Sequence, residues 1–151
     1  MVCPEYPPQR GGGLRRGAEL SRSPCSGAPV ILTYRHLADA TLITVAGEVD
    51  AATSADLEIF IDRARRRLDE HLIVDMSQLS FLDSSGLAVL LAAATLARVH
   101  GAALHLAAVQ PRVTRVLEIT GTFPAVLVYD HVEQAIAAVE EMERARPAEP
   151  A

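Results

Sequence analysis

The 151-residue chain contains no lysine, and all 14 of its basic residues are arginine. A phosphate-binding Walker loop, a Schiff-base enzyme and a lysine phosphate clamp each need the missing amine, so residue type alone excludes all three. Tryptophan is absent and aromatic residues make up only 4%, although 50% of the chain is hydrophobic. The core must therefore be built mainly from Ala, Val, Leu and Ile, which suits helices packed on a sheet. Cysteine is scarce: Cys3 and Cys25 both lie near the N-terminus, in no metal-ligand or redox spacing, and read as free thiols of a reducing compartment. No run of about 18 uncharged apolar residues occurs, and the N-terminus lacks the apolar block of a secretory signal, so the sequence predicts a cytoplasmic protein without a membrane span. Positive charge is short as well, with a formal net charge of −5. The first 29 residues hold 4 Arg against 2 Glu, leaving 10 Arg against 17 acidic residues in the rest, a net of −7. An acidic domain of this kind repels nucleic acid.

A chain of this length fits one domain with its own core. Residues 1–28 hold Pro7-Pro8, Gly11-Gly12-Gly13 and scattered Arg with no apolar period, and are expected to be a disordered tail. Residues 29–143 are expected to form the domain, and 144–151 a second disordered tail. From Val30 the pattern alternates: Val30-Ile31-Leu32 to Tyr34, then a turn at Ala38-Asp39-Ala40, then Leu42 to Gly47. Two antiparallel strands fit it. Leu57, Phe60, Ile61, Ala64 and Leu68 recur at helical steps, with Asp62, Arg63 and Arg66 on the other face. His71 to Met76 reads as a strand buried on both sides. Leu87 to Ala94 is so apolar that the helix carrying it is expected to be buried nearly all round, with Gly101 as its stop. A strand follows over Ala103 to Val109, a helix from Pro111 to Gly121, a strand over Ala125 to Tyr129 and a last helix through Val132, Ala135, Ile136 and Val139. The predicted class is α/β, a mixed sheet in the order β-β-α-β-α-β-α-β-α with no internal repeat.

The junction between the third strand and the second helix carries Asp83, Ser84, Ser85 and Gly86. A strand end feeding a helix N-terminus puts a hydroxyl where unpaired N–H groups and the positive end of the helix dipole converge. Local chemistry alone favours plain capping, since Asp and Ser are preferred N-caps. The longer stretch Ile73-Val74-Asp75-Met76-Ser77-Gln78-Leu79-Ser80-Phe81-Leu82-Asp83-Ser84-Ser85-Gly86-Leu87, however, closely resembles the signature of bacterial anti-sigma factor antagonists, the STAS-domain family. The resemblance extends to Gly47-Glu48-Val49-Asp50, the Pro111 helix and the Gly121 turn, and spans roughly Val30 to Val139. Ala88 stands where many members carry Gly, and the tail before residue 29 is longer than the family norm.

The resemblance implies a mixed sheet with helices mainly on one face, and a serine after the aspartate, here Ser84, that accepts a phosphate. It places Asp50, Asp83, Ser84, Ser85 and Gly86 on the partner-binding surface. The implied partners are an anti-sigma factor that is also a serine kinase, and a serine phosphatase that resets the switch. No cofactor, metal, nucleic acid or membrane is implied, and a monomer is the default state of the free protein. Such domains also serve as accessory subunits of membrane transport systems for lipids or anions, the alternative function. An enzyme is disfavoured, because the sequence around Ser84 is not Gly-x-Ser-x-Gly and no His lies nearby. His36, His71, His100, His105 and His131 are scattered and read as terminal or surface residues, not as a metal or catalytic set. Asp50 reads equally as a helix cap and a partner contact, Asp75 as a strand end in solvent, and Phe81 with Leu82 as core filling under the junction.

Overall fold

The computed structural model describes residues 16–22 and 29–146. Strands β2 (Pro29–His36) and β3 (Ala40–Val49) form the expected antiparallel hairpin, closed by a bond from the Leu37 N–H to the Ala40 carbonyl. Strand β4 (His71–Leu82) runs parallel to β3, and β5 (Leu104–Ala107) and β6 (Leu127–Tyr129) continue the parallel set. Helices α1 (Ser54–Ala64), α2 (Ser84–Val99), α3 (Pro111–Thr120) and α4 (Val132–Ala145) follow β3, β4, β5 and β6 in turn. The five predicted strands and four predicted helices thus follow one another in the predicted order.

One further strand, β1 (Arg16–Arg22), pairs antiparallel with β2 at the sheet edge. It falls inside the stretch expected to be disordered. The Pro and Gly clusters that suggested disorder lie at 7–8 and 11–13, whereas Arg16–Arg22 holds no proline to interrupt a ladder. Cys3 and Cys25 lie outside the described residues, as do both ends of the chain.

The period of two along each strand divides the core. Val30, Leu32, Ile43, Val45, Leu72, Val74, Leu104 and Leu106 face α1, α2 and α3 in the main core. Ile73 and Ala107 point the other way, with Ala40, and are covered by Ala135 and Val139 of α4. Three helices therefore lie on one face and one on the other. Leu57, Phe60 and Ile61 anchor α1 in the main core, each burial worth about 1.5–3 kcal/mol.

Two expectations about the helices are corrected. Leu68 is exposed, because α1 ends at Ala64 and its capping residue Arg65 has already turned to extended backbone. Helix α2 is not buried all round: Ala88, Ala92 and Thr95 form an outer face, small enough in side chain to sit in water at little cost. Gly101 and Gly121 adopt the left-handed conformation, with φ of 84° and 68°, that ends α2 and α3.

Candidate functional site

Strand β4 is longer than its apolar run suggested and carries the chain through Phe81 and Leu82 before α2 begins. Asp83 sits at the turn in extended backbone, and its Oδ1 accepts from the Ser85 N–H (3.0 Å), the Gly86 N–H (3.0 Å) and the Ser85 hydroxyl (2.6 Å). The cap is therefore Asp83, and Ser85 steadies it. Burial alone would push the Asp83 carboxyl up, but the Ser85 hydroxyl and the N–H groups of Gly86, Ser85 and Ala51 outweigh it and hold the group below its ordinary value.

Ser84 occupies the first helical position and is exposed, and its hydroxyl makes no hydrogen bond among the described residues. Ser85 is half-buried and committed to Asp83. Gly86 is buried: a Cβ there would come within 2.6 Å of both Leu82 Cδ1 and Val49 Cγ1. Glycine is needed at 86 because α2 starts against the end of β3.

That close approach brings the Asp50 loop to the junction. The Asp83 N–H donates to the Val49 carbonyl (3.2 Å), and the Ser80 hydroxyl to the Gly47 carbonyl (3.1 Å). Asp50 itself turns into its own loop, where its Oδ1 accepts from the Ala52 N–H (3.0 Å), the Thr53 N–H (3.1 Å) and the Thr53 hydroxyl (3.2 Å). It orders the turn that leads into α1, but the N-cap of that helix is Thr53, so Asp50 does not cap it as one of its two readings expected. Asp75, half-buried, accepts from the Ser77 N–H at 3.0 Å. Leu82 fills the core, but Phe81 is 41% exposed, contrary to its expected role, because successive strand residues face opposite sides. It stands beside the junction as an apolar side chain open to contact.

Two of the histidines also depart from expectation, while His100 and His131 are exposed at helix ends as expected. His71 and His105 are buried, not superficial, and their Nδ1 and Nε2 atoms lie 3.1 Å apart. His105 Nδ1 is 3.1 Å from the Tyr129 hydroxyl, and His71 Nε2 is 3.2 Å from Glu143. This cluster sits on the α4 side of the sheet, away from Ser84. Single histidines 34 residues apart leave no periodic signal in a sequence, so only the fold reveals the pair. No group of His, Cys, Asp and Glu suited to a metal occurs among the described residues.

Fold and junction together define a class: a small α/β domain that presents a loop–helix mouth to the outside instead of enclosing it. The STAS domain family matches residues 32–135. An anti-sigma F factor antagonist from Paenibacillus polymyxa is 32% identical over 110 residues, covering 72% of this chain and 94% of that protein. The chain belongs to the STAS-domain family of anti-sigma factor antagonists. Among solved structures, an anti-sigma factor antagonist from Mycobacterium paratuberculosis superposes with a TM-score of 0.64 at 24% identity, covering 80% of this chain and 99% of that one. The antagonist SpoIIAA shares the fold in its unphosphorylated form, with a TM-score of 0.60 at 23% identity, covering 73% and 96% of the two chains. Its phosphorylated form from Bacillus gives a TM-score of 0.55 at 23% identity, covering 72% and 98%. These relatives are named for regulation and not for a reaction. Among the described residues no helix is long and apolar enough to cross a membrane.

Proposed function

We propose that the protein binds an anti-sigma factor through the Asp50–Ser84 junction, and that phosphorylation of Ser84 ends the interaction. The observation that carries this reading is the Ser84 hydroxyl, exposed and without a hydrogen bond among the described residues at the mouth of α2, while its neighbours Asp83 and Ser85 hold the helix start. A kinase can reach that oxygen without unfolding anything. Phosphorylation adds about −1.5 to −2 charges and three strong acceptor oxygens. Asp83 has already taken the Ser85 and Gly86 N–H groups, so the phosphate gains only the helix dipole, about 0.3–1 kcal/mol, against repulsion from the Asp83 carboxylate screened by water. The fold survives the modification.

An interface responds differently. Docking strips water from the dianion beside Asp83, at a cost of several kcal/mol unless the partner supplies matching cations. Each ~1.4 kcal/mol is tenfold in affinity, so binding falls by orders of magnitude. The anti-sigma factor is itself the serine kinase, transferring phosphate from ATP to Ser84 Oγ, and a serine phosphatase resets the switch. A cycle that runs on ATP places the protein in the cytoplasm. Capture of the anti-sigma kinase by wild type, Ser84→Ala and Ser84→Asp tests this directly. Wild type and Ser84→Ala should capture it and Ser84→Asp should not; equal capture by all three removes Ser84 from the mechanism.

A further inference from the structure

Helix α4 packs on β4, β5 and β6, and a notch of about 220 Å³ opens between it and the β2–β3 turn. Leu37, Ile73, Ile136 and Val139 give the notch an apolar lining, and Asp39 and Glu140 line it with carboxylates. Neither carboxylate has a hydrogen-bond or ion-pair partner among the described residues. The space is smaller than the roughly 300 Å³ at which pockets for whole small ligands begin, and suits a single large side chain. An apolar hollow beside two unpaired anions favours an occupant that is apolar in body and carries a cation next to it.

The chain itself supplies such an occupant. Strand β1 pairs Arg16 with Arg35, two residues before Leu37, so the segment ahead of β1 joins the sheet at the end where the notch lies. Residues 1–15, outside the described part, include Tyr6 and Leu14, with Arg10 and Arg15 against the single acid Glu5. From β1 to Ile73 on β4 is three strand spacings, about 14 Å. The stretch from Arg16 back to Arg10 spans up to about 20 Å, and Tyr6 lies up to about 13 Å further on, so both side chains are within reach. A tether of this length gives the segment an effective concentration on the order of 1 mM at the notch, ahead of any partner making similar contacts from dilute solution.

We propose that residues 6–10 dock within their own chain at the α4 notch, Tyr6 filling the apolar hollow and Arg10 pairing with Asp39 and Glu140. Pro7-Pro8 favours an extended course between the two anchors, which lowers the entropy lost on docking. The seat lies on the face of the sheet away from Ser84 and is independent of the switch proposed there.

The test uses the full chain carrying Cys25→Ser and a nitroxide on Cys3, close in sequence to Tyr6. In NMR spectra the methyl signals of Ile73, Ile136 and Val139 should lose most of their intensity, while Ile119, exposed on α3 at the other face, keeps its own. Tyr6→Ala and Arg10→Glu should each restore the notch signals, and so should Asp39→Asn combined with Glu140→Gln. Mixing nitroxide-bearing chains with isotope-labelled chains that lack the nitroxide should leave every signal intact, because the contact forms within one chain. Unattenuated notch methyls, equal attenuation of Ile119, or attenuation that survives these variants overturns the docking. Attenuation in the mixture assigns the seat to a second copy and overturns it as well.

Discussion

A single carboxylate oxygen, Oδ1 of Asp83, organises the mouth of α2 by accepting three hydrogen bonds. Removing it by Asp83→Ala leaves the Ser85 and Gly86 N–H groups unmet, and the loss of an N-cap costs about 1–2 kcal/mol. Asp83→Asn keeps an acceptor oxygen in place, and Asn caps as well as Asp, so it should cost no more than about 0.5 kcal/mol at neutral pH. Urea unfolding separates the two. If Asn proves as damaging as Ala, charge and not capping is what Asp83 supplies. The acid behaviour follows from its depressed value in the folded state. The group contributes stability that is complete above the unfolded carboxyl value of about 3.9 and is lost as pH falls through the lower folded value. Asp83→Asn should lack that part of the acid sensitivity.

At the scale of elements, the site exists because the end of β3 and the start of α2 nearly touch at Gly86. Gly86→Ala drives a methyl group to 2.6 Å from Leu82 Cδ1 and Val49 Cγ1. Leu82 can swing its far end aside, but the branched Val49 is stiff at χ1, so the change should cost about 1–3 kcal/mol. Val49→Ala in the same chain should recover part of that loss. A double-mutant cycle with no coupling would mean that the contact does not set the geometry of the junction. The elements themselves were largely legible, because periods of two and 3.6 are written into the apolar residues and Gly101, Pro111 and Gly121 punctuate them. What lay hidden has physical reasons. Alanine suits either face, so the run Leu87 to Ala94 did not disclose that Ala88 and Ala92 face outward. The cluster Arg63 to Arg67 reads as one solvated surface, and no pattern reveals that Arg65 turns inward. Of the candidate site, the sequence located Ser84 and the Asp50 loop; it could not assign the cap to Asp83 over Ser84, or show Gly86 as a contact between elements.

Across the whole molecule, the buried histidines tie the parallel half of the sheet to the helix that covers its second face. One proton arrangement satisfies every atom: the Tyr129 hydroxyl donates to His105 Nδ1, His105 Nε2–H to His71 Nδ1, and His71 Nε2–H to Glu143. Both rings are then neutral. A second proton on either ring would place a charge inside the buried cluster, and burial opposes it: desolvation and then the His71 charge press His105 down to about 4. Desolvation lowers His71 too; Glu143 and Asp39 pull the other way and Arg146 adds to the lowering. In the unfolded chain both rings titrate near 6.5, so between about 6.5 and 4 the unfolded state binds more protons and stability must fall with pH. For His105 the full difference is worth on the order of 3 kcal/mol, expressed as pH drops from 7 to 4. His105→Gln should start from a lower stability at neutral pH, having lost a fitted buried ring, and then decline less steeply over the same window. The measurement is urea unfolding of both proteins at half-unit steps of pH. Parallel curves would show that acid sensitivity resides elsewhere, and a shallower one for the variant would place it in a pair of rings on the face away from Ser84, so that acid loosens α4 without acting on the junction directly.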